Sequence, residues 1–289
     1  MNRWLATLIV LAFTRCAYSA EPYVSTGFLP LPSDIQIGPM SAVAVDGSDR
    51  IYVLHRGEPP LLVLDGQHKL IAGWGKGEFK TPHGLRVDAK GNVWVTDNAR
   101  NVVYRMSREG KVTLTLGTLD KGGAGATNLR SPDDLVFDSK GLIYVADAGN
   151  KRIAKFDADG KYVAEWGKGG KEPGQFATAH GLAIDSKDRI YVADRGNKRV
   201  QVFNTDGQFQ AAWTEAGNPF GLLVTPEGLI VADGDAHRLT LLDFDGKSLG
   251  GWGDKETLKL PHLMAINSSG TVYVTEVDGK RIQLFRRVK

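Results

Sequence analysis

The sequence predicts an all-β fold: a six-bladed β-propeller closed by an N-terminal strand. Three observations carry the prediction. A unit of about 40 to 50 residues recurs six times. Each complete unit holds four short runs rich in β-branched and aromatic residues, separated by turn residues. The sixth unit has only three such runs, so the fourth strand of its sheet must come from elsewhere in the chain.

The fourth unit shows the pattern in full. Its runs are Gly181–Asp185, Arg189–Asp194, Arg199–Phe203 and Phe209–Trp213, with Gly196-Asn197 and Asp206-Gly207 at turns that favour tight hairpins. In chain order, the first runs of the six units are Val43–Asp46, Leu85–Asp88, Leu135–Asp138, Leu182–Asp185, Leu222–Thr225 and Leu263–Asn267. The second runs are Ile51–Leu54, Val93–Asp97, Ile143–Asp147, Ile190–Asp194, Leu229–Asp233 and Val272–Glu276. Outer runs end in Trp-Gly-like elements at Trp74, Trp166, Trp213 and Trp252, with Leu116-Gly117 in the second unit. Four antiparallel strands per unit, arranged radially, bury both faces of each sheet and protect its edges. The sixth unit ends with Arg281–Phe285, and the segment from Tyr23 to Leu31 is expected to supply its outer strand. The Gly-rich stretch from Lys121 to Thr127 reads as a loop between blades two and three.

The chain has 289 residues, enough for one all-β domain with a large core. Residues 1–20 read as a signal peptide: Arg3 makes a basic start, Leu5–Phe13 is an apolar run, and Ala17, Ser19 and Ala20 are small residues suited to cleavage. The alternative is an uncleaved membrane anchor. Residues 21–289 are the propeller, and they contain no run approaching the ~18 apolar residues of a membrane helix. Export to the periplasm or the exterior follows, with no stable membrane insertion once the signal is cleaved. Cys16 is the only cysteine and lies in the signal, so the mature chain has no disulfides. Losing Arg3 and Arg15 lowers the formal charge from +3 to +1, which gives no electrostatic case for a nucleic-acid partner.

The units share a Pro-x-Gly-apolar-Asp-like start, an Ile-Tyr-Val-Ala-Asp second strand, an Asn-x-Arg entry to the third strand and a Trp-Gly outer end. Residues 179–213 fit this closely. In these features residues 39–289 resemble NHL repeats. The resemblance implies the propeller fold and leaves the function open.

Aligning the units on the residue that ends the first strand, five positions back, gives Ser41, His83, Asp133, His180, Phe220 and His262. Histidine therefore occupies blades two, four and six. Three imidazoles at 120° intervals would converge on the central channel, a donor set suited to zinc with a further position left for a ligand. Iron or copper would also suit imidazole. The competing explanation is that histidine is merely tolerated at a solvated channel mouth. Immediately after the second strands stand Arg56, Asn98, Ala148, Arg195, Gly234 and Val277, on the same face. Arg56 and Arg195, from opposite blades, are candidate catalytic residues that would bind a carboxylate or stabilise developing negative charge. Taken singly, each also reads as an ordinary loop arginine. The recurring Asp97, Asp147, Asp194 and Asp233 read as turn acceptors.

The pieces Leu54-His55-Arg56-Gly57, Pro82-His83-Gly84-Leu85, Ala179-His180-Gly181-Leu182, Ala193-Asp194-Arg195 and Pro261-His262 resemble the peptidyl-α-hydroxyglycine α-amidating lyase family. That resemblance implies zinc on His83, His180 and His262, active-site roles for Arg56 and Arg195, and a structural calcium on the backbone carbonyls of Val43 and Leu85. It implies cleavage of a peptide ending in α-hydroxyglycine to a peptide amide and glyoxylate, hence a small-molecule or peptide substrate bearing a carboxylate. Two departures stand out. The family's catalytic tyrosine should follow the second strand of blade three, where this chain reads Asp147-Ala148-Gly149-Asn150. Leu263 replaces the acid expected after the third histidine and weakens the calcium site. The leading expectation is a zinc-dependent lyase-like enzyme. The alternative is a non-catalytic exported propeller that binds a protein or glycan partner. A lactonase-like site would need acidic and amide ligands on the axis rather than histidines.

Overall fold

A computed structural model describes residues 21–288. The predicted signal segment lies outside the described residues. Six four-stranded antiparallel sheets account for the twenty-four strands among the described residues. Five sheets are built from consecutive strands, and the sixth orders its strands with Tyr23–Phe28 outermost, against Arg281–Arg287. The expected closure is therefore present. Tyr23 stacks on Trp252 of blade five at 5.0 Å, so the first strand also fastens blade six to its neighbour. No helix among the described residues is long and apolar enough to cross a membrane.

The recurring aspartates explain why the sequence keeps re-forming the same hairpin. Asp46, which ends the first run of blade one, accepts backbone N–H bonds from Ser48 and Arg50 through Oδ1 and the Tyr52 hydroxyl through Oδ2. Asp88 does the same with Lys90, Asn92 and the Trp94 indole, and Asp185 with Lys187, Arg189 and Tyr191. One carboxylate thus closes the turn and satisfies the polar tip of an aromatic ring buried between blades. The aspartates that end the second strands act over a longer reach. Asp97 accepts from Lys80 and Thr81, Asp147 from Arg130, and Asp194 from Ala177, pinning the segment that enters each inner strand.

Apolar side chains fill the space between adjacent blades. One cluster joins Tyr52, Leu54 and Val63 of blade one to Leu85, Val95 and Met106 of blade two, and equivalent clusters repeat around the ring.

The inner strands begin earlier than the hydrophobic pattern indicates. They span Met40–Val45, Pro82–Val87, Pro132–Phe137, Ala179–Ile184, Pro219–Thr225 and Pro261–Ile266. In blade two Pro82 pairs with Asp97 and Leu85 with Val95, so three inner steps face two on the partner strand. The same one-residue bulge occurs in blades three, four and six. A bulge breaks the two-residue alternation and re-aims a side chain. Here it turns the histidine toward the axis, and the histidines therefore lie within the inner strands rather than ahead of them.

Candidate metal centre

His83, His180 and His262 meet on the axis. Their potential donor atoms lie within 4.8 Å of one another, and all three residues are buried. The rings stand nearly perpendicular, with centroids 4.8 to 5.0 Å apart. Each Nδ1 is bonded to the carbonyl at the same repeat position of the next blade: His83 to Asp133 at 2.8 Å, His180 to Phe220 at 2.7 Å and His262 to Ser41 at 2.6 Å. A carbonyl can only accept, so Nδ1 carries the proton and Nε2 keeps its lone pair. Histidines on even blades are thus oriented by carbonyls from odd blades, which fix the ring and the tautomer as metal-binding imidazoles require. This donor set fits a zinc-like cation.

Close approach of the strands is a condition of this geometry. A Cβ on Gly84 would lie 2.6 Å from the Asp133 carbonyl, and one on Gly181 would lie 2.5 Å from that of Phe220. Those are the carbonyls that orient His83 and His180, so the glycine after each of these histidines makes room for its acceptor.

Burial drives the imidazoles toward the neutral form that a metal requires. His83 falls from 6.5 to about 4, chiefly by burial and further by the charges of Arg56 and Arg195. Burial also takes His180 and His262 well below 6.5. These depressed values make the metal-free fold acid-labile. The unfolded chain takes up protons near 6.5 that the folded His83 refuses until about 4, so stability is present above 6.5 and is lost as pH falls toward 4. His83 alone contributes on the order of 3 kcal/mol over that window. Urea unfolding of metal-free protein at pH 7.5, 6 and 5 should show the decline, and a His83→Gln variant should show a shallower one. Equal slopes would contradict the assignment.

Both candidate arginines lie where the sequence puts them. Their backbone N–H groups bond back to the segment before the inner strand, Arg56 to Pro39 and Arg195 to Thr178. The charges of both reach His83 and His262. Arg195 is half-buried and its guanidinium lies 4.5 Å from the centre of the Phe220 ring, while Arg56 is exposed. His55 is no part of the cluster: its Nδ1 accepts from Gly38 and Gly57 and shapes the loop that carries Arg56. His237 likewise bonds to the backbone at Leu258 and Leu260.

Sequence reasoning assigned no role to Asp133 and Asn98. The Asp133 side chain is buried, with Oδ2 4.0 Å from His180 Nε2 and Oδ1 accepting from Asn98 at 2.7 Å. Burial lifts its carboxyl to about 7, against the pull of Asn98, Arg195 and Arg56. An acid in the histidine column was the available signal.

The inner-strand column of Val43 and Leu85, whose carbonyls are expected to hold calcium, meets a cation of the chain's own in the next blades. Leu135 and Leu182 occupy the same repeat column as those two residues, and their carbonyls accept from Arg86, at 3.1 and 2.8 Å. Arg86 belongs to blade two and Leu182 to blade four, so the guanidinium reaches past blade three. There it pairs with the buried Asp134 at 2.5 Å. A fixed positive charge at this level repels a second cation, and Leu263 supplies no acid to offset it.

Comparison with known proteins agrees with the repeats. The NHL repeat family matches residues 79–103, 129–156 and 176–203, which lie in blades two, three and four. Those three segments match NHL repeats. Among curated relatives, the chain is 28% identical to the mouse (Mus musculus) peptidyl-glycine alpha-amidating monooxygenase, over 50% of its own length and 18% of the relative's. It is 26% identical to the peptidyl-alpha-hydroxyglycine alpha-amidating lyase 1 of Drosophila melanogaster, over 54% of its own length and 34% of the relative's. The matched region is thus a minor part of each relative. A structure of virginiamycin B lyase from Staphylococcus aureus superposes with a TM-score of 0.67 over 92% of this chain and 99% of the other. At 13% identity, that likeness shows the fold alone.

Proposed function

We propose that the protein is a zinc-dependent, lyase-like enzyme that cleaves the C–N bond of peptides ending in α-hydroxyglycine, giving a peptide amide and glyoxylate. The observation that carries this reading is the buried triad whose three Nδ1 atoms are tied to carbonyls, leaving three Nε2 lone pairs. The similarity to proteins named amidating lyases supports the reaction class. Zinc held by His83, His180 and His262 would supply Lewis acidity toward the carbinol hydroxyl.

The chain's own groups divide the remaining work. Arg195, braced on Phe220, and Arg56 across the mouth attract and hold the substrate carboxylate. The strand bulges and their carbonyl acceptors keep the imidazoles aimed, so little reorganisation is needed when substrate binds. Residues 1–20 direct the chain out of the cytoplasm as a cleaved signal, and the substrate is met in the periplasm or outside the cell. No nucleic-acid partner is part of this reading.

Zinc-loaded protein incubated with a peptidyl-α-hydroxyglycine should release glyoxylate, followed colorimetrically. Arg195→Ala removes a charged hydrogen-bond partner worth about 1.5–3 kcal/mol, so kcat/KM should fall roughly 10- to 100-fold. A metal-loaded protein that releases no glyoxylate from such peptides would sink the reaction and leave a binding scaffold.

A further inference from the structure

We infer that the metal position has a fourth protein donor, the carboxylate of Asp133, so that the site is a three-histidine, one-aspartate set. The inference rests on the metal reading above and adds to it a residue that neither the repeat pattern nor the resemblance assigns.

Geometry carries it. Asp133 occupies the repeat column that holds the histidines, but on an odd blade. Its backbone carbonyl orients His83, while its side chain passes to the neighbouring His180. The contact is with Nε2, the atom left free to bind a metal, and not with the Nδ1 already bonded to Phe220. This oxygen–nitrogen distance is 4.0 Å, while the compact donor group, with atoms within 4.8 Å of one another, comprises the three histidines alone, so the carboxylate must move inward to bind. Donor atoms of a tetrahedral zinc site with bonds of about 2.0–2.1 Å lie about 3.3 Å from one another, so the imidazoles must contract on loading. Asp133 is near enough to His180 to join that contraction.

The other odd blades offer no competitor. Ser41 is committed to the Pro82 carbonyl at 2.8 Å, and Phe220 is apolar. Asn98 fixes Oδ1 of Asp133 and leaves Oδ2 for the metal side. Chemically, three neutral imidazoles leave a divalent ion with its full charge in a buried place, and one carboxylate halves it. An oxygen donor also widens the range of acceptable metals toward cobalt, iron and manganese. The site can still expand to a fifth position for substrate.

The test uses the full mature chain, Asp133→Asn and Asp133→Ser. Zinc affinity is measured by competition with a chromophoric chelator, and the ligand field by the visible absorption of the cobalt-loaded protein. Circular dichroism of the metal-free variants checks the fold, and the serine variant serves if the asparagine variant fails to fold. The expected result is zinc binding weakened at least tenfold together with a changed cobalt spectrum. Unchanged affinity overturns the inference, and so does weakened affinity with an unchanged cobalt spectrum, which would make Asp133 an outer group. Wild-type protein that binds neither metal would instead overturn the metal reading itself.

Discussion

Wild-type protein dialysed against zinc and then desalted should retain about one zinc per chain, and the His83→Ala/His180→Ala pair should retain none. A four-ligand zinc site is worth roughly 10–16 kcal/mol, so each donor contributes about 3 kcal/mol and a single His83→Ala change should weaken binding roughly a hundredfold or more. The effect should also appear in stability. Zinc at a thousand times its Kd adds about 4 kcal/mol to the folded state, and the double variant should lose this increment entirely. Elemental mass spectrometry and thermal melts with and without zinc read the two effects separately. The variants remove side chains while leaving the Ser41 carbonyl that orients the third imidazole, His262. Loss of zinc with metal-free melting preserved therefore identifies ligands and not a collapsed core. Zinc retained by the double variant would place the metal elsewhere.

The triad was legible in the sequence because repetition makes position readable. Once six units share a register, His83, His180 and His262 fall in one column, and alternate blades of a closed ring must face one another. Arg56 and Arg195 were placed by the same logic, through the antiparallel pairing of first and second strands. The bulge was not legible, since an extra residue in the inner strand leaves no mark on apolar alternation beyond a glycine such as Gly84 or Gly181. Asp133 stood in the correct column, but only side-chain packing shows that it reaches across to His180 while Ser41 turns away to Pro82. Arg86 did leave a signal. Its column otherwise holds Ala44, Val136, Ala183, Leu223 and Ala265, and a single charge among five apolar residues on an inner strand needs a buried partner.

That partner makes the second prediction. Arg86→Leu should destabilise the protein by about 3–5 kcal/mol, because it strands the carboxylate of Asp134 in the core. Asp134 is fully buried and also accepts from the backbone N–H groups of Leu135 and Leu182 at 2.9 Å, so its charge cannot turn toward water. At about 2–4 °C per kcal/mol for a chain of this size, the melting midpoint should fall by roughly 10 °C. Burial already pushes the Asp134 carboxyl upward and Arg86 is the main influence holding it down, so the variant should regain part of its loss as pH falls and Asp134 takes a proton. An Arg86→Leu/Asp134→Asn variant should be damaged less than Arg86→Leu at neutral pH, since no uncompensated charge remains. The same pair settles the question of calcium by experiment. With the guanidinium already holding the Leu135 and Leu182 carbonyls, added calcium or a calcium chelator should leave the wild-type midpoint where it is. A calcium-dependent rise would show that the guanidinium yields its place. Arg86 brings the chain's own cation to the Leu135 and Leu182 carbonyls, already paired with Asp134, and that pairing is what added calcium would have to displace.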